Sequence, residues 1–268
     1  MIISFLCEAN EMLNECLKYS IKKYFTYFSY YINDLLGTLI FPVLFNGLFW
    51  NETLKLNKLQ YELKDLIVYL VISNIMYFIT SVEISSVISA DIKTQKLGKK
   101  LLYPLNYVTK FILETGFNIL IRIVVIFMPI YVLLYFITKL NVNLHSIVIG
   151  LLFAIAAIVI NFLLTFIIGF CAFYFTEIWG LEAIKNLVFY ALSGTFFPYD
   201  ILSNKIQQII YATPFPYLSY FPTKAIMDQE FVLKVEYFQV AILWIALLSL
   251  LAIFIWKKGI KKYESCGV

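Results

Sequence analysis

Between Lys139 and Glu177 lie 37 residues that carry no charge once His145 is left neutral. No soluble domain of this size accommodates such a run, because its apolar surface would have nowhere to go. It does suit a bilayer, whose hydrocarbon core needs about 20 apolar residues per helical crossing. Other runs repeat the pattern. Asp65 and Glu83 enclose 17 uncharged residues, and Glu236 and Lys257 enclose 20. The stretch from Phe25 to Trp50 is interrupted only by Asp34, and that from Phe111 to Thr138 only by Glu114 and Arg122. A shorter run of 14 residues spans Asn186 to Tyr199. With 62% hydrophobic residues against the roughly 45–50% of soluble domains, the expectation is an all-α integral membrane protein. Six transmembrane helices are expected, at 25–50, 66–83, 107–138, 146–176, 180–198 and 237–256, in one domain covering 1–268.

Lysine placement sets the orientation. With the N-terminus inside, 13 lysines fall at cytoplasmic ends and 7 outside, so both termini are expected in the cytoplasm. Residues 8–24 carry Met12, Leu13, Leu17 and Ile21 at helical spacing opposite Lys18, Lys22 and Lys23. That pattern predicts an amphipathic helix lying along the inner membrane surface. Ile84, Ile88 and Ile92 recur at i, i+4 and i+8, so the second span is expected to continue as a helix past the bilayer and to break at Gly98. The region 84–104 then returns the chain to span three. Glu182 and Lys185, three apart, are placed to pair on one helical face.

Some chemistry is excluded. With one histidine and four scattered cysteines there is no metal set or histidine-based triad, and neither HExxH nor GxSxG occurs. No nucleic-acid partner is expected. Two charges lie inside spans. Asp34 stands 11 residues after Lys23 and Arg122 12 after Lys110, so both lie about 16–18 Å from the inner boundary. An ion pair between spans one and three is expected, either locking the helices or touching substrate. Asn161, in the middle of span four, is a candidate for hydrogen bonding across a helix interface or along a pathway.

The stretch ATPFPYLSYFP, residues 212–222, puts three prolines among aromatics after a span that should stop at Pro198. Non-helical backbone at membrane depth survives only when buried in protein or lining a cavity. The segment 199–226 is therefore expected to be a re-entrant pair of short helices at the outer side, between helices 5 and 6.

Three stretches together carry a resemblance. ISADIKTQKLGKKLLYPLNY (88–107) resembles an "acid–Ile–x–x–Gly … Leu–x–x–Pro" loop, with Gln95 and Lys96 where a glycine is usual. LSGTFFPYDIL and IIYATPFPYLSYFPTKAI (192–226) resemble an outer "SG–x–x–x–P … PF–x–x–x–x–x–P" segment, and GIKKYESCG (259–267) a "G–hydrophobic–basic–x–Tyr–x–x–x–Gly" tail. In this order they are similar to the membrane subunits of ABC-2-type exporters. The resemblance implies a bacterial plasma-membrane permease with no enzymatic activity of its own, working with a second permease copy or homologue and a cytoplasmic ABC ATPase. The partner would carry ATP and Mg, since this chain has no GxxxxGK[ST] phosphate loop and binds no cofactor. It further implies ATPase coupling through Ser89, Asp91, Ile92, Gln95, Lys96, Glu177 and Trp179, and an extracellular gate at Gly194, Pro198, Pro214, Pro216 and Pro222. The expected cargo is a hydrophobic peptide, such as an antimicrobial peptide, or a lipophilic drug. An ATP-independent secondary transporter or channel is the alternative, although such proteins usually carry broken helices in both halves.

Overall fold

The computed structural model describes residues 36–56, 63–102, 106–130, 144–228 and 235–263, with isolated helical positions at 18, 22, 26, 132 and 136. The expected amphipathic helix at 8–24, like Asp34, lies outside these apart from Lys18 and Lys22. Every described element is helical. A π-helical turn, Leu36–Ile40, leads into α1 (Phe41–Leu56), and α2 follows (Leu63–Thr80). Next come α3 (Ser85–Lys93), α4 (Leu97–Leu101) and α5 (Tyr107–Arg122), the last continued by a π-helical turn at Ile123–Phe127. The long α6 (Leu144–Phe170) is joined to α7 (Trp179–Leu192). Two short helices, α8 (Asn204–Tyr211) and α9 (Tyr220–Met227), precede α10 (Val235–Lys262).

Four helical stretches are long and apolar enough to cross a bilayer: Leu63–Lys93, Tyr107–Ile130, His145–Phe173 and Glu236–Lys262. Two of the six expected spans fall short of this among the described residues. In the first, the described stretch starts at Leu36 and α1 proper has 16 residues; in the fifth, α7 has 14 and ends at Leu192 rather than near Pro198. The reason is visible in the backbone. Gly194 takes φ +87, a left-handed conformation that stops a helix at no steric cost to glycine.

α6 is the hub. It packs against α2, α3, α9 and α10, and its remaining face, with Leu151 and Ile155, is apolar and exposed as a lipid-facing side would be. Phe153 of α6 stacks on Phe221 and Phe238, with ring centroids 5.2 and 4.9 Å away, so one ring joins α6, α9 and α10. At the other end of α6, a second cluster gathers Ile84, Ile88, Ile92, Phe111, Phe166, Phe170 and Phe173. All three isoleucines of the sequence stripe are buried here.

The expected continuous helix from span two is corrected. The chain leaves helix over Ser81–Ile84, re-enters it as α3 and turns again at Thr94 and Gln95. Gln95 sits at φ +58, and Gly98 lies inside α4. Gln95 is thus the position where the related motif carries glycine, and a left-handed residue there costs a side chain roughly 1–2 kcal/mol. At the earlier break Ser81 turns its hydroxyl back onto the carbonyl of Phe78 at 2.8 Å, in competition with the helix ladder, while the Thr80 hydroxyl is drawn to the Leu218 carbonyl at 2.9 Å.

Candidate functional site

A helix broken inside an apolar bundle exposes carbonyls that must find donors. Four of them, at Phe78, Thr80, Ser81 and Val82, are supplied from neighbouring helices. Arg122 at the end of α5 sends Nη1 to the carbonyl of Phe78 (2.9 Å), the carbonyl of Ser81 (2.8 Å) and the Ser81 hydroxyl (2.8 Å). Its guanidinium also lies 4.7 Å from the centroid of the Phe78 ring. On α6, Asn161 donates to the carbonyl of Thr80 at 2.9 Å, and Thr165 donates to that of Val82 at 3.1 Å. Arg122 and Asn161 are both buried. Two of the polar residues singled out from sequence therefore meet at one place, the break after α2. The proposed partner Asp34 is outside the described residues.

Beside the break is a cavity of about 220 Å³. Its wall is aromatic on the α2 and α7 sides, through Tyr77, Phe78, Phe189 and Tyr190. Its polar groups are Asn161, Lys185, Asn186 and Glu83. Helix α7 presents these because Lys185, Asn186, Phe189 and Tyr190 recur at i, i+1, i+4 and i+5, one face of a 3.6-residue helix. Asn46 of α1 donates to the Tyr190 hydroxyl at 3.1 Å and ties the first helix to this wall. The expected Glu182–Lys185 pair is not formed among the described residues. Lys185 instead approaches the Thr165 hydroxyl at 3.5 Å and lies 5.5 Å from the Phe189 ring centroid. The pocket thus sets aromatic rings beside a few convergent polar groups, in a space smaller than the usual small-molecule site.

The segments leading out of the break converge with two others at one end of the bundle. Lys93 closing α3 pairs with Glu177 in the α6–α7 connection at 3.3 Å. The Gly98 amide donates to the Tyr263 hydroxyl just past α10 at 3.2 Å. Phe173 lies so close to Gly259 that any Cβ there would collide with its ring. Of the residues expected to couple to an ATPase, Gln95, Lys96, Glu177 and Trp179 are exposed, the tryptophan at 70%. Ser89, Asp91 and Ile92 are buried instead. Both Asp91 oxygens accept from Lys100 at 2.6 Å, and one also accepts from the Tyr107 hydroxyl at 2.9 Å. Asp91 thus staples α3 to α4 and α5.

The opposite end holds the proline-rich segment. The three prolines cost no helical hydrogen bonds. Pro214 caps a 3-10 turn at Phe215–Leu218 with Pro216 at its start, and Pro222 occupies the first turn of α9, where amides lack intrahelical partners anyway. The turn is buried. Its Ser219 hydroxyl donates to the carbonyl of Ser73 at 2.6 Å, and its Leu218 carbonyl accepts from Thr80 at 2.9 Å. Gly194 and Pro198 are buried nearby, with the Gly194 carbonyl accepting from Tyr69 at 2.7 Å. Asp200 accepts from Tyr220 at 2.7 Å and pairs with Lys224 at 2.5 Å. Sequence reasoning did not find this cluster, nor the capping threonines. Thr80-Ser81 at the end of an apolar run was the signal available for the latter.

Four helical stretches long and apolar enough to cross a bilayer, among the described residues, point to a multi-pass membrane protein. The chain belongs to the ABC-2 transporter family: the profile described as ABC-2 family transporter protein matches residues 21–267. No curated protein matches it. Family membership makes it the membrane permease component of an ABC transporter, a subunit that associates with an ABC ATPase and the bilayer.

Proposed function

We propose that this chain is the permease half of an ATP-driven exporter that moves a hydrophobic peptide or lipophilic drug out of the cell. The observation that carries the reading is the Lys93–Glu177 pair, which fuses the end of α3 and the α6–α7 connection into one surface. That surface exposes Gln95, Lys96 and Trp179, and suits a separate ATPase docking from the cytoplasm. The absence of a phosphate loop from the sequence fits this division of labour. Lysine placement supports cytoplasmic termini. ATPase closure would push α3, and the break at Ser81–Ile84 would let that lever move against α2, a hinge-type change.

The aromatic cavity at this break is the candidate pocket for apolar cargo. The segment 199–226 acts as a re-entrant outer gate, with Gly194 and Pro198 before it and Pro214, Pro216 and Pro222 shaping it. Each transporter would contain two permease chains.

The test is tagged purification in mild detergent, identification of co-purifying proteins and an ATP-hydrolysis assay. Recovery of an ATPase subunit, with coupled turnover lost when Gln95, Lys96 and Trp179 are replaced together by alanine, supports the reading. A chain that transports in vesicles without ATP refutes it.

A further inference from the structure

The outward face of α10 changes chemistry along its length. Leu243, Leu247, Leu250 and Phe254 form one exposed apolar stripe at helical spacing. The same face then continues into Lys257, Lys258 and Lys261, all exposed. Lys258 lies 4.3 Å from the Phe254 ring centroid, its stem laid back over the last apolar residue and its ammonium held where stripe and charge meet. None of these three lysines has a carboxylate partner among the described residues, whereas Lys93, Lys100 and Lys110 at the same end each have one.

We propose that Lys257, Lys258 and Lys261 form a binding site for the phosphate headgroup of an anionic phospholipid, whose chains lie along the Leu243–Phe254 stripe. The inference needs only that α10 spans a bilayer and does not depend on the exporter reading. Charge selects the occupant. A second copy of this chain seated on the same stripe in the same orientation would bring six lysines to one depth, and like charges repel. An anionic lipid supplies both the apolar chains and the compensating charge, and basic clusters just beyond a span attract such lipids at a strength of about fivefold per lysine. The site also adjoins the contacts that hold α4 and the α6–α7 connection. Gly259 packs on Phe173, and Tyr263 accepts from the Gly98 amide, so an occupied headgroup site would steady the end of the molecule that contains α3 and α4.

The purified full chain in mild detergent is mixed with phosphatidylglycerol and phosphatidylcholine of matched chains, and retained lipid is counted by native mass spectrometry. The expected result is a preference for phosphatidylglycerol that falls about fivefold per lysine as Lys257, Lys258 and Lys261 are changed to Gln. It should survive when all three are changed to Arg. Changing Lys64 and Lys205 at the opposite end to Gln is the control, and should leave the preference intact. The proposal is overturned if the triple Gln chain keeps its preference, or if the control loses it equally. It is likewise overturned if the triple Gln chain keeps phosphatidylglycerol but no longer recovers a protein partner or a second copy.

Discussion

Thr80 donates its hydroxyl to the carbonyl of Leu218 at 2.9 Å, so the last residue of α2 holds the tip of the proline-rich turn. The same threonine offers its own carbonyl to Asn161 at 2.9 Å. One residue therefore joins the segment that enters from one end to the break that leads out of the other. Thr80→Val keeps the shape and removes the donor, leaving a buried carbonyl at Leu218. A cost of about 1–3 kcal/mol is expected, read as a lower unfolding temperature in detergent. Thr80→Ser should restore most of it. A Thr80→Val chain as stable as the wild type would show that the turn is held by packing alone.

Arg122 should be comparably sensitive. Its Nη1 serves two carbonyls and a hydroxyl, and Arg122→Leu leaves the Ser81 carbonyl without its donor, while the Ser81 hydroxyl still reaches the Phe78 carbonyl. A loss of about 1–3 kcal/mol is expected, the cost of leaving a buried acceptor unpaired. The companion change at Asp34 separates two roles. If Arg122 chiefly neutralises Asp34, Asp34→Asn should rescue Arg122→Leu, because the uncompensated charge disappears. The carbonyl contacts lead us to expect no rescue, as the orphaned Ser81 carbonyl would remain. Fluorescence-detected size exclusion of the single and double variants decides the matter.

These contacts also mark how far the sequence could be read. The uncharged runs made a helical membrane protein legible, and Ile84, Ile88 and Ile92 announced a buried stripe. The break after Thr80 was not legible, since hydropathy is blind to carbonyls and the donors Arg122, Asn161 and Thr165 lie 40 to 85 positions away in the chain. Asp91 illustrates the same limit. Beside lysines in a basic loop it reads as a surface contact, yet Lys100 and Tyr107 draw it inward. By contrast, the glycine-like role of Gln95 was visible as a departure from a motif, and its φ of +58 gives the physical reason.

Gly194 should not tolerate alanine. Its φ of +87 disfavours any side chain, and a Cβ would stand 2.9 Å from Tyr220 Cβ and 3.0 Å from Tyr69 Oη. Strain of about 1–2 kcal/mol is expected from the backbone alone, before the neighbours move. If Gly194 belongs to an outer gate, Gly194→Ala should also impair transport more than Tyr69→Phe, which merely removes the bond to the Gly194 carbonyl. Equal effects would reduce its role to that one hydrogen bond.

The tyrosines around Asp200 predict alkaline sensitivity. Burial pushes Tyr211 up to about 12, and burial together with the Asp200 carboxylate raises Tyr220 well above the ordinary tyrosine range. The folded chain thus keeps protons that the unfolded chain releases near pH 10. Stability is fully present below pH 10 and is lost as pH climbs from 10 through 12, because unfolding there is accompanied by proton loss. Melting temperatures measured from pH 8 to 12 should fall over the upper half of that range. A Tyr211→Phe/Tyr220→Phe chain should show a flatter profile, and an unchanged slope would exclude these groups as its source.

Lys93 and Glu177 allow docking to be separated from folding. The pair is exposed on both sides, the glutamate side chain at 68%, and such surface pairs contribute about 0–1 kcal/mol. Lys93→Glu should therefore leave the unfolding temperature nearly unchanged. It places two like charges where two connections meet, and should splay the surface we assign to the ATPase. Co-purification of the ATPase subunit should drop severalfold, and Lys93→Glu combined with Glu177→Lys should recover it by re-forming the pair in reverse. Recovery by the double exchange would mean that the joined shape of the two connections matters to the partner. Loss in both single and double variants would mean that the partner reads the lysine itself, and an undiminished yield in all of them would place the docking surface elsewhere.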